Sequence, residues 1–303
     1  MRALFSSFAL LAASASSVSQ PNIVFLLTDD QDVLLGGLDA MPFTRSFFVD
    51  GGRTYENGFV TTPICCPSRT TTLSGRYGHN LDEQGLADWC GDFTRHPMEN
   101  ASWIAALHDA GYQTSFSGKY HNAPPNHYVP NGWDDFFSLN NECQYFNNSF
   151  NLNGRNVQFG DEPSDYMTSL IGNRTLSFLQ NMSADKPFFA YIAPHSSHMP
   201  STPAPWYSDA PLPSERVART PAYNASGAET GKHWVMGELE PLTPNFEVAI
   251  DFMFAMRHRN LLSVDDIVRD VVAELTALGR LDNTYFIYSS DHGCVYREAH
   301  AAR

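Results

Sequence analysis

Residues 22–30 read NIVFLLTDD. Ile23 to Leu27 form an unbroken apolar run, without the alternation of a sheet face open to water. Such a run suits a strand buried on both faces, as in a parallel sheet covered by helices. It ends in Asp29-Asp30, and ligands in open α/β sheets gather at the carboxyl ends of strands. Adjacent carboxylates there are hard oxygen ligands for Ca²⁺ or Mg²⁺. Taken alone, the pair reads more commonly as a solvated loop start or a helix cap. Asp32 follows at once and reads as a supporting or exposed carboxylate.

Upstream, MRALFSSFALLAASASSVSQ has Arg2 at its head, an apolar run over 3–13 and Ala13-Ser14-Ala15 as a cleavage site. This is the layout of a secretory signal peptide over residues 1–19. It is too short to be a lasting bilayer anchor, so no stable membrane anchor is expected. N-x-S/T sequons at Asn100, Asn147, Asn173, Asn181 and Asn224 fit a glycosylated lumenal or extracellular protein. Residues 20–303 suffice for a large α/β core. The formal net charge of −14 argues against general nucleic-acid binding. It also means that a site for an anion needs its own local cluster of cations. Of the cysteines, Cys90 and Cys143 are a candidate disulfide, whose connectivity the sequence does not assign.

Downstream, residues 61–80 read TTPICCPSRTTTLSGRYGHN. Pro67 suits the first position of a helix, predicted over 67–74, whose unpaired N–H groups would face Cys65. That is a ready anion site, and Arg69 adds a fixed cationic fork. By themselves, Cys65 and Cys66 also read as buried or disulfide-linked cysteines of a secreted chain. Before them, 41–59 reads as a helix and a short strand. Residues 102–110 form a helix closed by Gly111. A strand over 112–117 leads into Gly118-Lys119-Tyr120-His121, where Lys119 and His121 share a side.

Residues 122–150 read as mostly irregular, with the G-W-x-x-F-F pattern packing over a rim. An amphipathic helix is predicted over 166–181 and a buried strand over 187–193, delivering Pro194-His195-Ser196-Ser197-His198-Met199-Pro200. Residues 201–245, which include Gly231-Lys232-His233-Trp234, read as a Pro-rich, substrate-facing loop region. Ser263-Val264-Asp265-Asp266 reads as a capping box. The helix it opens puts Val264, Ile267, Val268, Val271, Val272, Leu275 and Leu278 on one face, with Asp265 and Asp266 as helix-end charges. A last strand over 284–290 runs into Asp291-His292-Gly293.

Cys65-Cys66-Pro67-Ser68-Arg69, with the following T-x-x-x-S-G-R-Y-x-H-N, resembles the C-x-P-S-R signature of the type I, formylglycine-dependent sulfatases. The match runs from Pro21 to Gly293. CCPSRTTTLSGRYGHN, GKHW and LLSVDDIV look most like N-acetylglucosamine-6-sulfatases and the related extracellular glucosamine sulfatases. The resemblance implies an α/β, alkaline-phosphatase-like sulfatase fold with a mostly parallel central sheet flanked by helices. It also implies that Cys65, the first cysteine of the signature, is oxidised during secretion to 3-oxoalanine by a formylglycine-generating enzyme. Asp29, Asp30, Asp291 and His292, with residue 65, are then expected to hold one divalent ion, Ca²⁺. Arg69 and Lys119 offset sulfate charge. Residue 65 attacks sulfur, His198 protonates the departing alcohol and His121 takes the proton whose loss releases sulfate. The family places its proton-donating histidine before x-Pro, which His198 fits and His195 does not.

The implied substrates are 6-O-sulfated glucosamine in glycosaminoglycans, or aryl sulfates. The implied destination is the medium or the lysosomal or vacuolar lumen. Family members continue into a Lys-bearing segment and a smaller subdomain, so residues 20–303 are expected to be a catalytic domain lacking its C-terminal subdomain. A phosphate or phosphonate monoester hydrolase of the same superfamily is one alternative. An inactive, truncated glycan-binding glycoprotein is another.

Overall fold

The computed structural model describes residues 20–80, 102–122, 127–140, 144–220, 223–224 and 241–293. The expected signal peptide, Asn100, Cys90, Cys143 and the stretch 231–234 lie outside these residues. The strands are β1 (Asn22–Thr28), β2 (Gln113–Gly118), β3 (Asp135–Leu139), β4 (Ser149–Leu152), β5 (Arg155–Gln158), β6 (Phe188–Ala193) and β7 (Thr284–Ser290). Among the described residues they make one seven-stranded sheet in the order β5-β4-β3-β2-β6-β1-β7. From β3 to β7 all pairings are parallel. β4 and β5 add an antiparallel edge.

The period of two along each strand decides which face a residue serves. Val24 and Leu26 of β1, with Phe188, Ala190 and Ile192 of β6, join the core on one face. Leu27 of β1, with Phe189, Tyr191 and Ala193 of β6, joins the core on the other. Both faces are covered, which is why these strands read as continuous apolar runs.

The helices are α1 (Pro42–Thr44), α2 (Cys65–Ser74), α3 (Trp103–Asp109), α4 (Met167–Asn181) and α5 (Pro244–Ala277). α4 and α5 cover the first face, through Ile171, Leu179, Val268, Val271 and Leu275. α2 and α3 cover the second, through Leu73 and Ile104. The Trp103 indole N–H donates to Thr72 O at 2.7 Å, tying α3 to α2.

Several expectations are corrected. Most described residues of 122–150 are irregular, as expected, but Phe136 and Phe137 lie in β3 and are buried in the two cores, not spread over a rim. The β4–β5 hairpin turns on Asn153 (φ 50°) and Gly154 (φ 84°), the positive-φ pair that matches strand twist. No strand forms over 51–59; α1 instead continues as a wide helical turn over Arg45–Asp50. Phe47 and Phe48 of that turn pack on Phe286 and Tyr288 of β7, at 5.0 and 5.3 Å between ring centroids. Ser263 opens no helix, because α5 begins at Pro244, about five turns earlier, and runs through it. Asp265 therefore caps a different helix, accepting from the N–H groups of Phe43 (3.1 Å) and Thr44 (2.6 Å) at the start of α1.

Gly118 ends β2 at φ +127°, and a β-carbon there would sit 1.9 Å from Ala193 O. Only glycine lets β2 and β6 release their loops side by side, with the Lys119 N–H on that same carbonyl at 2.8 Å. Gly118→Ala is expected to destabilise the fold by about 3 kcal/mol, measured as a lower denaturation midpoint.

Candidate active site

Four adjacent parallel strands, β2, β6, β1 and β7, end on one rim, and each releases a residue with chemistry. β1 gives Asp29 and Asp30, β2 gives Lys119, β6 gives His195 and His198, and β7 gives Asp291 and His292. α2 enters this rim with Cys65 as its first residue, after Ile64 in extended conformation. The expected start at Pro67 is corrected: Pro67 stands third, still within the first turn, where a missing N–H is tolerated. Cys65 itself thus lies at the helix N-terminus. It carries a free thiol, whereas Cys66 is disulfide-bonded.

Asp29 is fully buried and divides its oxygens. Oδ2 takes Lys119 Nζ at 2.7 Å and His195 Nδ1 at 3.0 Å, with Arg69 Nη2 at 3.6 Å. Oδ1 faces Cys65 Sγ at 3.6 Å. Asp291 is divided in the same way. Its Oδ2 accepts from Arg69 Nε at 3.0 Å, and its Oδ1 from the N–H groups of Asp30 (3.1 Å) and His292 (2.9 Å). The Ser68 hydroxyl donates to Asp291 O, fastening α2 to the end of β7. Arg69 is 1% exposed and donates through Nη1 to Lys119 O at 2.6 Å. Its Nη2 lies 3.0 Å from Asp291 Oδ2. Among the described residues it has no aligned hydrogen-bond acceptor.

The histidines are oriented from behind. His292 Nδ1 donates to Gly293 O at 2.9 Å, which turns Nε2 toward Cys65 Sγ and Asp30 Oδ1, both 3.3 Å away. A β-carbon on Gly293 would lie 3.0 Å from Asp32 Cβ, so glycine lets this turn close. His198 Nδ1 donates to Met199 O at 2.8 Å, and its Nε2 lies 4.0 Å from Asp30 Oδ2. Tyr145 holds the same loop, its hydroxyl donating to His198 O at 2.8 Å. His121 Nε2 meets the Thr70 hydroxyl of α2 at 3.1 Å, while Tyr120, between Lys119 and His121 in the chain, turns into the core.

Charge states follow from burial and neighbours. Burial would raise the Asp29 carboxyl, but Lys119 and Arg69 outweigh it and hold it well below the usual carboxylate range. Burial, then the charge of Asp29, pushes Asp30 up to about 6, and both also raise Asp291. Burial raises the Cys65 thiol, which is therefore a poor nucleophile as it stands. Burial would lower His198, yet contact with Cys65 and the charge of Asp29 push it up to about 9. His195, completely buried, falls to about 4 and is neutral at ordinary pH.

Asp29, Asp30, Cys65, Arg69, Lys119, His198, Asp291 and His292 are thus linked by contacts of 4.0 Å or less, while His121 meets α2 at Thr70. Ligand atoms of Asp29, Asp30, Cys65 and His198 fall within 4.8 Å of each other, as do those of Asp29, Cys65, Asp291 and His292. Three crowded carboxylates, two of them hard to ionise, are a donor set that a divalent cation relieves. Sequence reasoning set His195 aside, although it lies directly against Asp29. It also passed over Arg257, which interrupts the apolar stripe of α5 between Phe254 and Leu261.

A family model described as Sulfatase matches residues 21–302. The chain is 35% identical over 291 residues to the N-acetylglucosamine-6-sulfatase of Homo sapiens, covering 92% of this chain and 52% of that one. It is 37% identical over 284 residues to the extracellular sulfatase SULF-1 homologue of Drosophila melanogaster, covering 90% and 25%. It is 30% identical to an arylsulfatase of Volvox carteri, covering 94% and 48%. The chain therefore spans about half or less of the length of these relatives. Among solved structures, one in complex with its substrate D-glucosamine-2-N,6-O-disulfate superposes with a TM-score of 0.68 at 21% identity, covering 93% and 67%. A phosphonate monoester hydrolase from Silicibacter pomeroyi gives 0.62 at 19%, covering 90% and 63%. The sheet, the rim at its strand ends and the family match agree with the expected alkaline-phosphatase-like architecture, and the chain belongs to the sulfatase family.

Proposed function

We propose that this chain carries the catalytic centre of a sulfuric ester hydrolase in which Cys65, converted to formylglycine, is the nucleophilic position. The observation that carries this reading is the placement of Cys65 Sγ. It is buried at a helix N-terminus, against Asp29 Oδ1 and His292 Nε2, with two buried cations around it. Sγ stands where the nucleophilic oxygen would be. An aldehyde hydrate at residue 65 supplies an oxygen nucleophile that the buried thiol is not. Asp29, Asp30, Asp291 and His292 would hold the divalent ion, with Ca²⁺ favoured by the carboxylates, and such an ion polarises a sulfate oxygen and neutralises its charge.

The remaining work falls to side chains. The Arg69 Nη2, buried and without an aligned acceptor, is positioned to take a sulfate oxygen, and Lys119 adds charge behind Asp29. This is preorganised electrostatic stabilisation. His198, whose Nε2 lies 4.0 Å from Asp30 Oδ2, carries the proton for the leaving alcohol. His121 is assigned the later proton removal at residue 65. The relatives' names point to 6-O-sulfated glucosamine or aryl sulfates as substrates, and to a secretory destination, medium or lysosome. The signal peptide over 1–19 and the sequons are consistent with that route, and no helix among the described residues is long and apolar enough to cross a membrane.

The test is mass spectrometry of the peptide spanning Cys65 from secreted protein, with parallel assays on matched sulfate and phosphate esters. Loss of the sulfur atom at residue 65 and turnover of the sulfate ester are expected. Retained sulfur with no turnover overturns the reading, and preferential phosphate or phosphonate turnover moves it to the rival hydrolase. An aldehyde at residue 65 without turnover of either ester would favour the glycan-binding alternative.

Ion binding should also depend on pH. Asp30 must lose its proton to serve as a ligand, and in the metal-free protein it does so near 6. Ca²⁺ affinity is expected to be flat above that pH and to fall by about tenfold per unit below it, with proton release on binding. Titration calorimetry in buffers of different ionisation enthalpy checks both.

A further inference from the structure

One buried cation is used by none of these steps. Arg257 of α5 is 4% exposed. Its Nη2 donates to Asp30 O at 2.7 Å and lies 3.6 Å from Asp32 Oδ2, and its Nη1 donates to Ser197 O at 3.3 Å. The two carbonyls belong to different loops, one following β1 and the other β6. The loops are already joined next to these positions, by the Asp29 N–H on Ser196 O (2.9 Å) and the Ser197 N–H on Asp29 O (2.7 Å). Arg257 closes the far side of that junction.

The position of each carbonyl matters. Asp30 has φ +57°, a left-handed backbone that a residue with a side chain keeps only when its surroundings enforce it. Arg257 takes its carbonyl at 2.7 Å, while its carboxylate stands on the Cys65 side, 3.3 Å from His292 Nε2. Ser197 immediately precedes His198. A guanidinium can meet two carbonyls at once because its N–H groups form a rigid planar fork. A lysine offers a single point charge and cannot span them in the same way.

We infer that Arg257 is a positioning residue. It fixes the backbone of Asp30 and Ser197 so that the Asp30 carboxylate and the His198 imidazole are presented to the same point beside residue 65. This rests on the reading of Asp30 as an ion ligand and His198 as proton donor.

The test compares wild type, Arg257→Met, Arg257→Lys and Asp29→Asn as full chains, using Ca²⁺ calorimetry, kcat and KM on an aryl sulfate and on a sugar sulfate, and thermal melting. Arg257→Met is expected to weaken Ca²⁺ binding by 10- to 100-fold, the usual scale for losing an outer support of a metal ligand. It should lower kcat with little change in KM, and more for the sugar ester, whose leaving group needs the proton from His198. Arg257→Lys keeps the charge but not the fork, and should stay folded while losing about tenfold in kcat. A melting shift in Arg257→Met with unchanged Ca²⁺ affinity and kcat would leave only a structural role and overturn the inference. Arg257→Lys matching wild type in both readouts overturns it even if the methionine variant does not fold. If wild type shows no Ca²⁺ binding sensitive to Asp29→Asn, the parent reading fails, and this inference with it.

Discussion

Replacing Cys65 by alanine is expected to lower kcat for sulfate-ester hydrolysis by about 10⁴-fold or more, the scale on which removal of a nucleophile acts. The fold should survive. Cys65 contributes one sulfur to the site, and both of its neighbours keep other partners: Asp29 retains Lys119 and His195, and His292 retains Gly293 O. The stability change should stay within about 1 kcal/mol. Steady-state kinetics and a denaturant titration on the same preparations decide the matter. A folded variant that loses less than about tenfold in kcat would remove residue 65 from the reaction.

The second large effect belongs to His198 and depends on the ester. Its Nε2 lies on the open side of the site near Asp30, whereas His195 is wholly buried behind Asp29. A proton donor matters in proportion to how poor the leaving group is. His198→Asn should therefore cost about 10²- to 10⁴-fold in kcat on a sugar sulfate, and far less on an ester of an acidic phenol. His195→Asn should affect both esters alike, because it acts through the carboxylate of Asp29. Equal losses on the two esters for His198→Asn would reassign the proton donor.

What the sequence made legible follows from local rules. β1 and β6 were readable because residues buried on both faces leave unbroken apolar runs, and the half-exposed edge strand β7 because its aromatic and β-branched residues favour extended backbone; their ends carried the acidic and histidine residues. The β4–β5 hairpin carried a readable signal in Asn153-Gly154, but the surrounding Asn and aromatic residues resembled loop composition. The start of α5 was hidden because Ser263 with Asp266 mimics a capping box, and nothing local says that a helix has already been running for five turns. Asp265 and His195 were beyond local reading. What each does is set by a partner far away in the chain, the α1 amides for one and Asp29 for the other. Arg257 left a trace, as a charge at an apolar helical position, without indicating what it would touch.

β7 is the last of these strands in the chain, and it pairs along its whole length with the first, from Asn22 opposite Thr284 to Thr28 opposite Ser290. That closure joins residues 262 positions apart, a kind of contact that is slow to form, and domains assemble as they emerge during synthesis. Until residue 290 has been made, Asp291 cannot reach Arg69 and Ser68, and the pocket around residue 65 has no far wall. Once that wall is in place, residue 65 is held in the first turn of α2 and is only 9% exposed. Any enzyme that edits residue 65 therefore works against a clock set by translation. Conditions that hasten docking of β7 should leave more chains with an unconverted thiol.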